Sequence, residues 1–180
     1  AYADIGECCI IYERLNSRGL KLSSVDLFKN LLFKHVLNTN VYDQVKNEWL
    51  NVLNELEKLG EELSPSVFLR YYIQSRYHGV GPLKSDNVYN WVVNTKPALI
   101  KDDADALNVV KDMKEAAARY VALVKATEGD MSIYPSATRI GLITQRKARQ
   151  HILLLLAMPN SVAKSDVDYL AQQIESFFWY

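Results

Sequence analysis

Asn16, Ser17 and Arg18 follow one another just ahead of Gly19, and Ser23-Ser24-Val25-Asp26 comes a few positions later. The pattern reads as a helix end, a polar turn and the start of a second helix. Free backbone N–H groups at such a turn, with a helix N-terminus close by, can hold a phosphate or another anion. Arg18 would add a two-pronged fork to phosphate oxygens. Helix-end chemistry alone also accounts for these residue types, because Asn and Ser are common at helix ends and Arg is ordinarily solvated. A second group is Arg139, Arg146, Lys147 and Arg149, with His151 nearby. Lying within thirteen positions of one another, these side chains could touch a DNA backbone through salt-sensitive phosphate contacts. A solvated helix face balanced by acids elsewhere would look the same.

Other chemistries fit poorly. His35, His78 and His151 are far apart, and no His or Cys spacing suits a metal. Cys8 and Cys9 are adjacent, lack a basic neighbour other than Arg14, and read as reduced thiols of a cytoplasmic protein. No nucleophile elbow, phosphate-binding Gly-rich loop or dinucleotide fingerprint is present. Asp102, Asp103 and Asp105 suit the positive end of a helix dipole better than an acid/base pair.

The elements that would position these residues are helical. Of the 180 residues, 49% are apolar and 23% charged, as in ordinary globular proteins. Only 7 Gly and 5 Pro occur, too few for the frequent turns of an all-β chain. Formal net charge is zero, so a generalised cationic surface for nucleic acid is excluded and any DNA contact must be local. The longest apolar run, 152–158, is far too short to cross a bilayer, and no signal peptide is visible. The absent initiator Met and the closing Phe177-Phe178-Trp179-Tyr180 suggest a fragment of a longer protein.

Apolar spacing predicts about eight helices in one all-α bundle spanning 1–180. The first covers 4–17 and stops at Gly19. The second follows a capping-box signal at Ser23 and Asp26, with Leu22 as a staple, and breaks at Asn38-Thr39-Asn40. The third covers 41–59 and ends at Gly60. Ser64-Pro65 starts the fourth, which reaches Tyr77. The fifth covers 85–94. The sixth and longest runs over 102–127, with Asp102, Asp103 and Asp105 leading it and Gly129 ending it. A short piece over 134–144 precedes a helix over 145–157. The last begins near Ser165 and Asp166, one of which would cap it.

The run Tyr12-Glu13-Arg14-Leu15-Asn16-Ser17-Arg18-Gly19, continued by Leu22-Ser23-Ser24-Val25-Asp26-Leu27-Phe28-Lys29-Asn30, resembles the closing motif of the ParB-like N-terminal domain of GmrSD-type restriction proteins. The match over 12–30 is nearly complete, with Tyr12 in place of the more usual Phe. Phe68-Leu69-Arg70-Tyr71-Tyr72 and the run 149–157 look like the helical region that follows in that family, a weaker likeness that any amphipathic helix could share.

The resemblance implies a phage-defence protein that senses modified or foreign DNA, uses a nucleotide and cuts DNA. It implies that 1–38 is the end of a preceding ParB-like domain, and that Tyr12, Asn16, Ser17, Arg18, Asp26 and Lys29 line or support one wall of a nucleotide or phosphate site. Asn16 would position substrate, Tyr12 would pack beneath it, and Asp26 and Lys29 would orient the second helix. The Asp-Gly-Gln-Gln-Arg motif of the other wall would lie upstream and a His-Asn-His nuclease motif downstream, so the segment alone would be inactive. No cofactor is expected within it; a nucleotide and a divalent metal would belong to the parent protein. The expected partners are DNA, through the parent, and the flanking domains, with no membrane. The alternative is a non-catalytic helical interaction module docking through its aromatic C-terminal residues.

Overall fold

Helix starts in this chain are built from short polar side chains that accept the N–H groups a first turn leaves free. The computed structural model describes residues 23–60, 65–77 and 83–178. In α1 (Ser24–Lys34) the Ser23 hydroxyl accepts from the Asp26 N–H at 3.2 Å, and the Asp26 carboxylate accepts from the Ser23 N–H at 3.3 Å. This is the expected capping box. Asn38 does the same for α2 (Thr39–Glu57), its Oδ1 accepting from Asn40 at 2.9 Å. The polar break at 38–40 is therefore a cap and a first turn.

The remaining described helices are α3 (Pro65–Arg76), α4 (Val88–Thr95) after a 3₁₀ turn (Ser85–Asn87), α5 (Asp103–Glu128), α6 (Pro135–Ile143), α7 (Gln150–Leu156) and α8 (Lys164–Ser176). Among the described residues there are thus eight α-helices and no strand, the all-α architecture that the apolar spacing predicts. The expected first helix, over 4–17, lies outside them.

The centre of the bundle is α5. Asp102 caps its start by accepting from the Asp105 N–H at 2.9 Å. Gly129, at φ +128, closes it, with Asp130 donating back to the Lys125 carbonyl at 3.0 Å and Gly129 to that of Ala126 at 3.0 Å. Its C-terminal half is buried nearly all round, through Ala116, Ala117, Tyr120, Val121, Leu123, Val124 and Ala126. The most extensive helix pair is α2 with α5, where Val45, Trp49, Val52 and Leu56 form the inner stripe of α2. Each such side chain contributes roughly 2 kcal/mol by leaving water. Helix α6 packs on both α5 and α8, and α3 packs on α7. Gly141 lets α6 lie directly against the α5 backbone: a methyl there would run into the Thr127 carbonyl.

Beyond shifts of one or two residues, one helix start and one helix cap differ from those expected. The helix expected over 145–157 begins at Gln150, because Gln145 (φ 52) and Arg146 (φ 60) are both left-handed. They close α6 instead: the Arg146 N–H donates to the Gly141 carbonyl at 2.6 Å and the Gln145 N–H to that of Leu142 at 3.1 Å. A Gly normally takes that left-handed position, and here Gln does, so the stop carries no sequence signal. Helix α8 starts at Lys164 after Ala163 and has no side-chain cap, where Ser165 or Asp166 was the expected one.

Candidate functional site

Of the residues expected to line a nucleotide or phosphate wall, Tyr12, Asn16, Ser17 and Arg18 lie outside the described residues. Asp26 and Lys29 are both on the outer side of α1, exposed. The Asp26 carboxylate is engaged at the helix start, accepting from the Ser23 N–H and from its hydroxyl at 2.7 Å. It fixes the first turn of α1, which is a positioning role.

The basic residues expected to touch DNA do not share a helix face. Arg139 is on α6, where its Nε meets Glu175 Oε2 of α8 at 2.8 Å and its Nη2 donates to Ser136 Oγ at 2.8 Å. Arg146 and Lys147 sit exposed in the turn after α6. Arg149 immediately precedes α7, and its Nη2 lies 3.0 Å from Glu128 Oε1 at the end of α5. The Arg146 guanidinium reaches the same place, 3.8 Å from where a Cβ on Gly129 would stand.

A residue from another helix joins Arg149. Arg70 of α3 places its guanidinium carbon 5.0 Å from the Tyr71 ring centroid. Tyr71 in turn donates its hydroxyl to the Arg149 carbonyl at 3.5 Å, across 78 positions of sequence, and packs 5.6 Å from the Tyr120 ring of α5. Burial and the neighbouring Tyr71 push the Tyr120 hydroxyl up to about 12, and the positive fields of Arg149 and Arg70 oppose that rise. Two guanidinium nitrogens here, Arg70 Nε and Arg149 Nη1, are shielded from solvent with no hydrogen-bond acceptor. An unmatched buried donor costs about 1–3 kcal/mol.

His151 of α7 is buried beside this group. The Thr127 hydroxyl gives its one proton to the Leu123 carbonyl at 2.8 Å, so at the 2.8 Å contact with His151 Nε2 it must accept. Nε2 therefore carries the proton, and Nδ1 is a bare lone pair without a partner. Burial, and then the charge of Arg149, lower the imidazole to about 4, so it is neutral at pH 7.

Arg70, Tyr71, Tyr120 and Glu128 are not identified by local sequence. They come from α3 and α5, far from Arg149 along the chain, and only the packing of α3 on α7 brings them together. The sole available signal was the Arg70-Tyr71 pair within the family-like run 68–72.

Two other polar regions differ in kind. Arg76, Asp112, Arg119 and Asn160 form a network whose donors are matched by acceptors. A cleft of about 820 Å³ lies between the end of α2, α5 and the loop before α8. Its rim sets Lys58, Lys125 and Lys164 against Glu55, Glu115 and Asp130, so no single charge sign converges there. Among the described residues no three His, Cys, Asp or Glu side chains come together as a metal site would need. No described helix is long and apolar enough to cross a membrane. No protein-family model matches the chain, and no curated protein or solved structure does either.

Proposed function

We propose that this chain is the helical middle segment of a GmrSD-type DNA restriction protein, acting in phage defence, where it contributes one wall of a nucleotide or phosphate site and a contact to DNA. The observation that carries the reading is the run over 12–30, whose residue types and spacing follow the closing motif of the family's ParB-like domain. The Ser23–Asp26 capping box gives the Leu-Ser-x-x-Asp part of that motif a physical purpose, the start of a helix. In this reading Asn16, Ser17 and Arg18 complete the phosphate site with Tyr12 beneath them, and Asp26 and Lys29 hold the following helix. The segment by itself has no nuclease chemistry, and the nucleotide and divalent metal belong to the parent protein.

Determining the reading frame upstream of Ala1 tests this directly. The restriction reading requires an in-frame Asp-Gly-Gln-Gln-Arg motif there, and its absence would sink it. One observation favours a second reading. Phe177 is 84% exposed, Tyr169 63% and Phe178 42%, an aromatic surface of the sort that docks on another chain. A helical interaction module would need no such upstream motif and would be the reading left standing.

A further inference from the structure

The described arginines divide sharply by what their guanidinium groups meet. Arg76 bonds to Asp112, the Leu156 carbonyl and Asn160. Arg119 donates to the carbonyls of Met158, Pro159 and Asn160 at 2.6, 2.9 and 3.2 Å. Arg139 is held by Glu175 and Ser136. Arg70, Arg146 and Arg149 differ: Arg70 Nε and Arg149 Nη1 have no acceptor, and among the described residues the ion pair these three make is that of Arg149 with Glu128. Arg146 and Arg149 lie at the C-terminal end of α5, by Gly129 and Glu128, and Arg70 lies over the ring of Tyr71, whose hydroxyl meets the Arg149 carbonyl.

We propose that Arg70, Arg146 and Arg149 form one phosphate-binding site, with Tyr71 as its packing platform. Three guanidinium groups against one carboxylate leave a local excess of two positive charges on a chain whose net charge is zero. Guanidinium forks match tetrahedral oxyanions. Arg146 projects from a left-handed backbone position, at φ 60. The site replaces the basic row 139–149 as the anion contact: it excludes Arg139, whose Nε and Nη2 are engaged by Glu175 and Ser136, and includes Arg70 from a different helix.

The ligand is a phosphoryl oxyanion. Its source is either the backbone of duplex DNA, which rests on the DNA-contact reading above, or a free phosphate such as that of a nucleotide. The test uses the full chain. Binding of a fluorescently labelled DNA duplex at low salt is measured for wild type, Arg70→Gln, Arg149→Gln and Arg139→Gln, and pyrophosphate binding is measured by calorimetry. Circular dichroism checks folding, and Arg70→Lys, which keeps the charge but loses the fork, serves as a milder variant. The site predicts that Arg70→Gln and Arg149→Gln each weaken duplex binding roughly tenfold and lower the salt slope by about one, with Arg70→Lys intermediate and Arg139→Gln near wild type. Duplex binding that is insensitive to Arg70 and Arg149 would overturn the site and leave the DNA reading intact. Pyrophosphate binding that depends on Arg70, without duplex binding, would uphold the site and defeat the DNA reading. Wild type that binds neither ligand overturns the site.

Discussion

Arg76 Nε and Asp112 Oδ2 meet at 3.0 Å and join α3 to α5. The same guanidinium donates to the Leu156 carbonyl at 2.6 Å and to Asn160 Oδ1 at 2.6 Å, and Asn160 Nδ2 donates back to Asp112 Oδ1 at 2.6 Å. Three helices and the loop after α7 are thus tied through one residue. The Arg76 side chain is 14% exposed and Asp112 37%, so water screens the carboxylate more than the guanidinium. Arg76→Ala is expected to lower stability by about 2 kcal/mol, mostly by stranding the Leu156 carbonyl and Asn160. Asp112→Ala, at the wetter end, should cost about 1 kcal/mol. Urea denaturation midpoints measure both, and equal, negligible losses would contradict the network's structural role.

Acid should weaken the fold through His151. Its folded value of about 4 lies below the ordinary histidine value of about 6.5. Between those limits the unfolded chain takes up a proton that the folded chain refuses. The contribution is therefore fully present above about pH 6.5 and is lost as pH falls toward 4, amounting to something on the order of 3 kcal/mol. Melting temperature measured from pH 7 to 4.5 should fall further in wild type than in His151→Leu. Parallel curves for the two proteins would rule out this source of acid sensitivity.

Gly141→Ala should be among the most damaging single-methyl changes in the chain. The added carbon would meet the Thr127 backbone and not a side chain that can swing aside. Moving α6 away from α5 would also disturb its packing on α8. The cost is expected to be about 3 kcal/mol, the upper end for overpacking, although Ala is the better helix former. A thermal shift of less than a few degrees would show that α6 slides freely on α5.

Much of this fold can be read in the residues themselves. Ser23, Asn38 and Asp102 each stand where a cap is needed, and Gly60 and Gly129 take positive φ where a helix must stop. The stripe Val45, Trp49, Val52 and Leu56 announces its buried face by spacing alone. The turn over 145–149 was illegible, because Gln145 and Arg146 occupy left-handed positions that ordinarily call for Gly or Asn. Apolar spacing therefore carries the helix back over Arg146, Lys147 and Arg149, which stand ahead of its start at Gln150. The meeting of Arg70 with Arg149 was hidden for a different reason: it is a tertiary event, made by α3 lying on α7, and no local pattern encodes it.

The restriction account turns on Asn16. DNA cleavage by the parent protein, wild type against Asn16→Ala with helicity checked by circular dichroism, tests it most directly. The account predicts loss of cleavage with helicity intact, because in that reading Asn16 would position substrate in a shared pocket. Cleavage undiminished by Asn16→Ala would contradict it and leave this bundle as a scaffold or docking module.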